Sequence, residues 1–413
     1  FWRQKSPPGR DQSIDELARP FREVLGFGSG KTPSPWSARW LRADETVRTT
    51  LADGLSLPDA VPCRLAAVDV FLFPLDTGAV VLRFDWGGAI DLPAVVAGVH
   101  RLVRVRDEQS WLRYAGRAPV PPEQRLRMPK SWPGALEGEG GIPLAEIADW
   151  CLVGAGEDGK EPRPRILVER YAPHHTSVYL KAPLEDVELH AQLWRLRRAY
   201  DLHYPAPPDA SSLDRVLWLR RNRVLSVARE GTAGVAWPDA AANENSDRYW
   251  VVRRFQNVYR SLALHALAEH VTLDELAMRV SRTATQVTDT RELARLRPKL
   301  EELATSVARY TLSMVGEDPG GLTDYALFFR AVRQVRAVPE NLAELREELH
   351  EVRALVQSAH DDQLAKRAEA NAERDSRFQE RLSRAGIALG AIAALTGIFG
   401  MNGIDLSLLA GVT

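Results

Sequence analysis

The sequence predicts an α+β fold: an N-terminal α/β part, a helical region, and a very long stalk helix that continues into a transmembrane helix. Three observations carry this reading. Strand-like alternation and hairpin turns recur between Cys63 and Trp237, and helical spacing takes over from Asp247. No Pro or Gly then interrupts the chain between Pro339 and Gly386, beyond which charge disappears. The expected organisation is a cytoplasmic α/β domain with insertions (1–210), a mainly helical cytoplasmic region (211–338), the stalk (339–384), a first transmembrane helix (385–403) and an outer loop (404–413).

Composition sets the class. The chain has 413 residues, 45% hydrophobic and 26% charged, which is enough for two or three domains and too apolar for disorder. Lys+Arg 54 against Asp+Glu 55 gives a net charge of -1, so a nucleic-acid partner is not expected. Cys63 and Cys151 stand far apart, without metal-like spacing, as expected of a reducing compartment. The opening "FWRQKSPPGRDQS" lacks the apolar core of a signal peptide, and without an initiator Met the chain reads as part of a longer product.

Along the first 62 residues, "GFGSGKTPSP" approaches a phosphate-binding loop and misses it. The position a first Gly would need is Leu25, and Pro33 and Pro35 remove donors where the capping helix would begin. From Cys63, "RLAAVDVFLFPLDTGAVVLRFDW" is two apolar runs joined at Asp76-Thr77-Gly78, a hairpin. "RILVERY" and "TSVYL" form a second extended pair around Ala172-Pro173-His174-His175, Leu184 to Tyr200 has helical spacing, and "VLSVAREGTAGVAW" is another hairpin. The Pro- and Gly-rich stretches between them read as surface insertions.

Neither His174 nor His175 has a third ligand nearby, so both read as turn histidines. His265 and His270 in "HALAEH" are five apart, not the four of a helical zinc pair. No Gly-x-Ser-x-Gly elbow or paired nucleophile occurs, so no enzyme activity or cofactor is expected.

Helices are expected over Asp247 to Thr283, Arg291 to Val315 and after Leu322, with Pro339 in the first turn of the next. The apolar positions of that helix step by three and four: Leu342, Leu345, Leu349, Val352, Val356, Ala359. After a one-place slip the seam continues as Leu364, Ala368, Asn371, Asp375, Phe378, Leu382, Ala385. Such spacing over roughly 65 Å is a coiled-coil or bundle seam. It leads into "AGIALGAIAALTGIFGMNG", Ala385 to Gly403, which carries no charge and is about as long as a membrane helix requires. Arg377, Arg381 and Arg384 precede it and Asp405 follows, so the stalk is expected in the cytoplasm and the chain in the inner (plasma) membrane.

The end of that segment, "LTGIFGMNG", resembles the outer end of the first membrane helix in the CorA-type magnesium channel superfamily, where Gly-Met-Asn closes the mouth. A long cytoplasmic helix running straight into it is also that family's arrangement, and the resemblance covers Leu342 to Gly403. It implies a homo-oligomer, a pentamer, embedded in membrane lipid and conducting Mg2+ or another divalent cation. Gly400, Met401 and Asn402 would form the outer mouth, with the Asn402 amides holding a hydrated ion. Gly397, Ala393, Gly390 and Gly386 would line the pore, and Leu382 or Phe378 would close it. Phe399 stands where the family usually has Tyr, and a second membrane helix would have to follow residue 413. Two alternatives accompany this reading: a membrane effector of a stress or antiphage system, gated by a regulatory ligand or protein at the N-terminal domain, and a soluble helical oligomerisation scaffold.

Overall fold

The computed structural model describes residues 2–4, 39–43, 55–56, 63–73, 77–86, 89–106, 113–114, 142–153, 171–207, 215–239, 244–285, 293–313, 319–320 and 322–409, the last helix with side chains only through 394. Two compact units divide the chain: Phe1–Met278 with Ala304–Arg346, and Arg279–Leu303 with Glu347–Thr413. The protein is mixed α+β, as its sequence pattern predicts.

The first unit holds two sheets. One is antiparallel and centred on β4 (Cys63–Leu72), flanked by β2 (Arg39–Ala43) and β5 (Gly78–Trp86), with β1 (Trp2–Gln4), β3 (Leu55–Ser56) and β6 (Arg113–Tyr114) completing it. The expected β4–β5 hairpin is present, with Leu72 opposite Gly78 and Cys63 opposite Trp86. Its turn residues 74–76 lie outside the described residues, as does the "GFGSGKTPSP" loop.

The second sheet has the order β7-β10-β9-β8, with β7 (His174–Tyr179), β8 (Val216–Arg220), β9 (Arg223–Val227) and β10 (Gly231–Ala236). Strands β9 and β10 are the predicted hairpin, while β7 runs parallel to β10, so the sheet takes strands from both sides of residue 210. Every residue of β9 and β10 is buried, because both faces of the sheet are covered. On one face Val224, Ala233 and Val235 pack with Leu189, Leu193 and Leu196 of α3 (Asp186–Arg198) and Val95, Val96 and Val99 of α1 (Leu92–Leu102). On the other, Leu225, Val227 and Ala236 meet Phe255, Tyr259, Phe328 and Phe329. Helix α2 (Leu144–Val153) belongs to the same unit.

His174 and His175 are therefore not turn residues: they open β7. "RILVER" (165–170) lies outside the described residues. Pairing with β10 overrode the local turn signal of Ala172-Pro173, since the extended conformation that Pro favours serves a strand entry equally well.

The helical region begins with α4 (Glu244–Tyr249) and passes without a break into a ten-residue π-helix, Trp250–Tyr259, and then α5 (Arg260–Thr285). The wider turn of an i→i+5 helix brings residues five and four apart onto one side. Trp250, Phe255 and Tyr259 stack there at centroid distances of 5.7 to 6.0 Å. Helix α6 (Leu293–Ser313) tolerates Pro298 inside it, and α7 (Thr323–Val335) presents Tyr325, Phe328, Phe329 and Val332 to the core. Ala337, with φ 52°, then turns the chain into α8 (Val338–Leu409), whose first-turn amide at Asn341 donates to the Ala337 carbonyl at 2.8 Å.

Helix α8 has 72 residues, the very long helix expected. Its seam has two parts. Leu342, Leu345, Leu349, Val352 and Val356 are all buried, whereas Leu364, Phe378 and Leu382 are half to three-fifths exposed. The change falls where the sequence shows its one-place slip, so the chain covers the first register of the seam and leaves the second open.

Candidate functional site

The predicted pore residues all lie on α8, and its helical backbone continues past Asn402 and Gly403 to Leu409. Gly397, Gly400, Met401 and Asn402 fall outside the residues whose side chains are described. For the others, each residue turns the helix by about 100°, so the steps from Phe378 to Leu382, Gly386, Gly390 and Ala393 keep them within an arc of roughly 120°. All five are exposed in the single chain.

The glycines are informative. A methyl group at Gly386 or Gly390 would meet no heavy atom within 4 Å. Among the described residues nothing requires glycine at either position, although each costs about 0.5–1 kcal/mol of helix stability relative to Ala. Around them the surface changes character. Ile387, Leu389 and Ile392 are 71%, 67% and 57% exposed and spread around the helix instead of forming one stripe. A helix apolar on all sides is one that is covered on all sides. Among the described residues, no helix is long and apolar enough to cross a membrane. Those residues include side chains for 385–394 of the apolar segment, and 395–403 lie beyond them.

Polar groups are buried within the first unit. His175 stacks on Phe255 at 4.1 Å; its Nε2–H donates to the Phe255 carbonyl (2.9 Å), leaving Nδ1 to accept from the Thr232 hydroxyl (2.6 Å). Burial pushes its pKa down to about 3, so the ring is neutral. The His174 Nε2–H donates to the Leu196 carbonyl at 2.5 Å, and its pKa is also lowered by burial. His175 uses both ring nitrogens, while His174 Nδ1 is buried without a hydrogen-bond partner, and among the described residues no group of three or more His, Cys, Asp or Glu is placed to hold a metal ion.

The "HALAEH" histidines face different carboxylates along α5. His265 Nε2 lies 3.9 Å from Glu269, and His270 Nε2 lies 3.6 Å from Asp274. Glu269 is fully buried and also meets Arg333 of α7 at 3.0 Å, with Tyr310 of α6 close enough to feel its charge. Burial outweighs the arginine and raises the Glu269 carboxyl to about 8. Arg223 donates through Nε (2.9 Å) and a terminal nitrogen (2.6 Å) to one oxygen of Asp247, tying β9 to α4. Cys63 is a buried thiol pushed up to about 12 by burial and Asp85, which makes it a poor nucleophile.

Sequence pattern missed a second concentration of charge. Arg197 and Arg198 close α3, Arg229 and Glu230 form the β9–β10 turn, and Arg336 caps α7. The Arg197-Arg198 doublet is the only sign of it in the sequence, since the other members come from separate segments. Compared with known proteins, the chain matches no family model, and no curated protein and no solved structure matches it significantly.

Proposed function

We propose that this chain is the subunit of a homo-oligomeric membrane channel for divalent cations, Mg2+ foremost. One observation carries the reading: a single unbroken helix leads from a buried seam through an exposed seam into an apolar segment that ends in Gly400-Met401-Asn402. The exposed seam calls for a second copy, because heptad positions such as Phe378 and Leu382 are stable in water only when covered. The segment with apolar residues on every side calls for lipid and neighbouring helices. Five-fold assembly rests on the resemblance to CorA-type channels. In that assembly the Asn402 amide oxygens grip the hydration shell of the cation without stripping it, which suits an ion that dehydrates reluctantly. Leu382 and Phe378 form the water-excluding constriction on the cytoplasmic side, and the small residues Gly386 and Gly390 above it let neighbouring helices come close.

The test is Mg2+ uptake into proteoliposomes carrying an internal Mg2+ dye, at matched incorporation. Asn402→Gly is expected to abolish uptake, and Asn402→Asp to bind the cation too tightly for wild-type flux. Wild-type flux in Asn402→Gly would remove the selectivity assignment. A strictly monomeric full-length protein in nanodiscs would remove the pore itself.

A ligand-gated form of the same channel is the second reading. It is favoured by the surplus of arginine where α7 meets α8.

A further inference from the structure

Arg336 occupies an unusual position for a cation. It is only 6% exposed, it caps the C-terminus of α7, and α8 begins two residues later, after the left-handed turn at Ala337. Its Nε has no hydrogen-bond partner. The charges that act on it are Arg229, which opposes it, and Glu230. Glu230 is already engaged: its Oε1 accepts from Arg198 at 3.1 Å. Arg197, 2% exposed, donates one terminal nitrogen to the Ser226 hydroxyl at 3.2 Å, while its Nε, like that of Arg198, is buried without a partner.

Charge therefore does not balance here. Among the described residues, Arg197, Arg198, Arg229 and Arg336 outnumber the carboxylates around them, which are Glu230, paired with Arg198, and Asp274 beside His270. The helix ends do not close the gap, because each C-terminus supplies only about half a negative charge. The two nearby histidines contribute no anion either. Burial holds both His174 and His270 toward the neutral form, so neither adds charge, and the carboxylate beside His270, Asp274, keeps a half-exposed side chain in water. A buried cation without a counter-charge is unfavourable, and burial with Arg229 holds the Arg336 guanidinium down at about 10. The cluster carries a surplus of positive charge that suits an anion.

We propose that the C-terminus of α3, the β9–β10 turn and the α7–α8 elbow together bind the phosphate group of a small soluble ligand, with Arg336, Arg229 and Arg198 as its cationic contacts. Phosphate fits the donors: guanidinium forks pair with two of its oxygens at once, and several unpaired Nε–H groups suit a tetrahedral oxyanion better than a planar carboxylate. Access is from the side of Arg229, which is exposed, and Arg198, whose side chain is 28% exposed. Arg336, at 6% exposure, is the most buried of the three. Occupancy fixes the elbow from which α8 departs, so the site is placed to set the helix that leads to the pore. Binding stands on this geometry alone, and only its coupling to conduction rests on the channel reading.

The experiment is calorimetric titration of the full-length protein in detergent with inorganic phosphate and with pyrophosphate, using chloride at matched ionic strength as the control. Saturable binding is expected, tighter for pyrophosphate. Arg229→Gln, at an exposed position that leaves folding intact, is expected to weaken it about tenfold, the effect of one charge-assisted contact, and Arg336→Gln by at least as much. Glu230→Gln is expected to tighten binding, because it removes the carboxylate that competes for Arg198; a merely structural cluster would not respond in that direction. No saturable pyrophosphate heat, a chloride response equal to that of phosphate, or unchanged affinity in Arg229→Gln would overturn the proposal. Mg2+ uptake with and without pyrophosphate is then measured separately. Binding without any change in flux keeps the site and sinks its coupling, whereas absent flux with intact binding sinks the channel reading alone.

Discussion

Replacing Gly386 and Gly390 together by Ala distinguishes a helix that stands alone from one pressed against its neighbours. In the single chain neither added methyl meets any heavy atom within 4 Å. With no steric cost, each Ala should stabilise the helix by about 0.5–1 kcal/mol, or roughly 1–2 kcal/mol for the pair, by restricting the unfolded backbone. In an assembly the sign reverses. Small residues let helices approach closely, and a methyl forced into a packed interface costs about 1–3 kcal/mol. Five subunits would each contribute two such methyls. The expected result is an oligomer that dissociates at higher protein concentration than wild type, measured by mass photometry in nanodiscs, alongside a monomer helix no less stable by circular dichroism. A double variant that melts higher and dissociates at the wild-type concentration would refute the idea that this face meets another helix.

Three further outcomes are expected. Phe378→Ser and Leu382→Ser, at exposed positions on the stalk, should raise basal Mg2+ leak through the channels that still assemble in proteoliposomes, and unchanged leak in both would place the constriction elsewhere. Because burial lowers His175 from 6.5 to about 3, its contribution to stability is present above pH 6.5 and is lost as pH falls toward 3. At about 1.4 kcal/mol per tenfold change in proton affinity, this is up to roughly 5 kcal/mol, and urea melts of His175→Gln should show a shallower acid limb than wild type. Glu269 has the opposite sign. Its carboxyl, raised from 4.5 to about 8, stabilises fully below pH 4.5, and that stability is lost as pH rises to 8, so Glu269→Gln should flatten the alkaline side of the stability profile; an unchanged slope would mean that the carboxyl titrates normally.

Much of the fold was legible because local pattern and tertiary role coincide. Alternation around Thr77 and the "VLSVAREGTAGVAW" stretch give hairpins, and hairpin contacts are short-range, so the residues that signal them also make them. Other elements left no distinct signal. Over ten residues the π-helix at Trp250–Tyr259 has nearly the apolar spacing of an α-helix, and only its aromatic stacking reveals the wider turn. Two glycines of β10 look like weak strand residues in the sequence. In the fold a Cβ on Gly231 would fall 2.2 Å from the His174 ring, and one on Gly234 would fall 2.6 Å from Phe255. Glycine is required there by the close approach of residues distant in sequence.

The sequence by itself determined the long helix, its heptad seam and the charge-free segment that follows, because all three are properties of one continuous stretch whose side chains repeat every three to four residues. Which part of that seam the chain covers for itself was decided only in three dimensions. Leu342 to Val356 are buried while Phe378 and Leu382 stand exposed, although their spacing is the same. The charge cluster at the α7–α8 elbow likewise exists only once α3, the β9–β10 turn and Arg336 meet. Electrostatic surplus depends on distance through space, and the linear order of residues does not encode it.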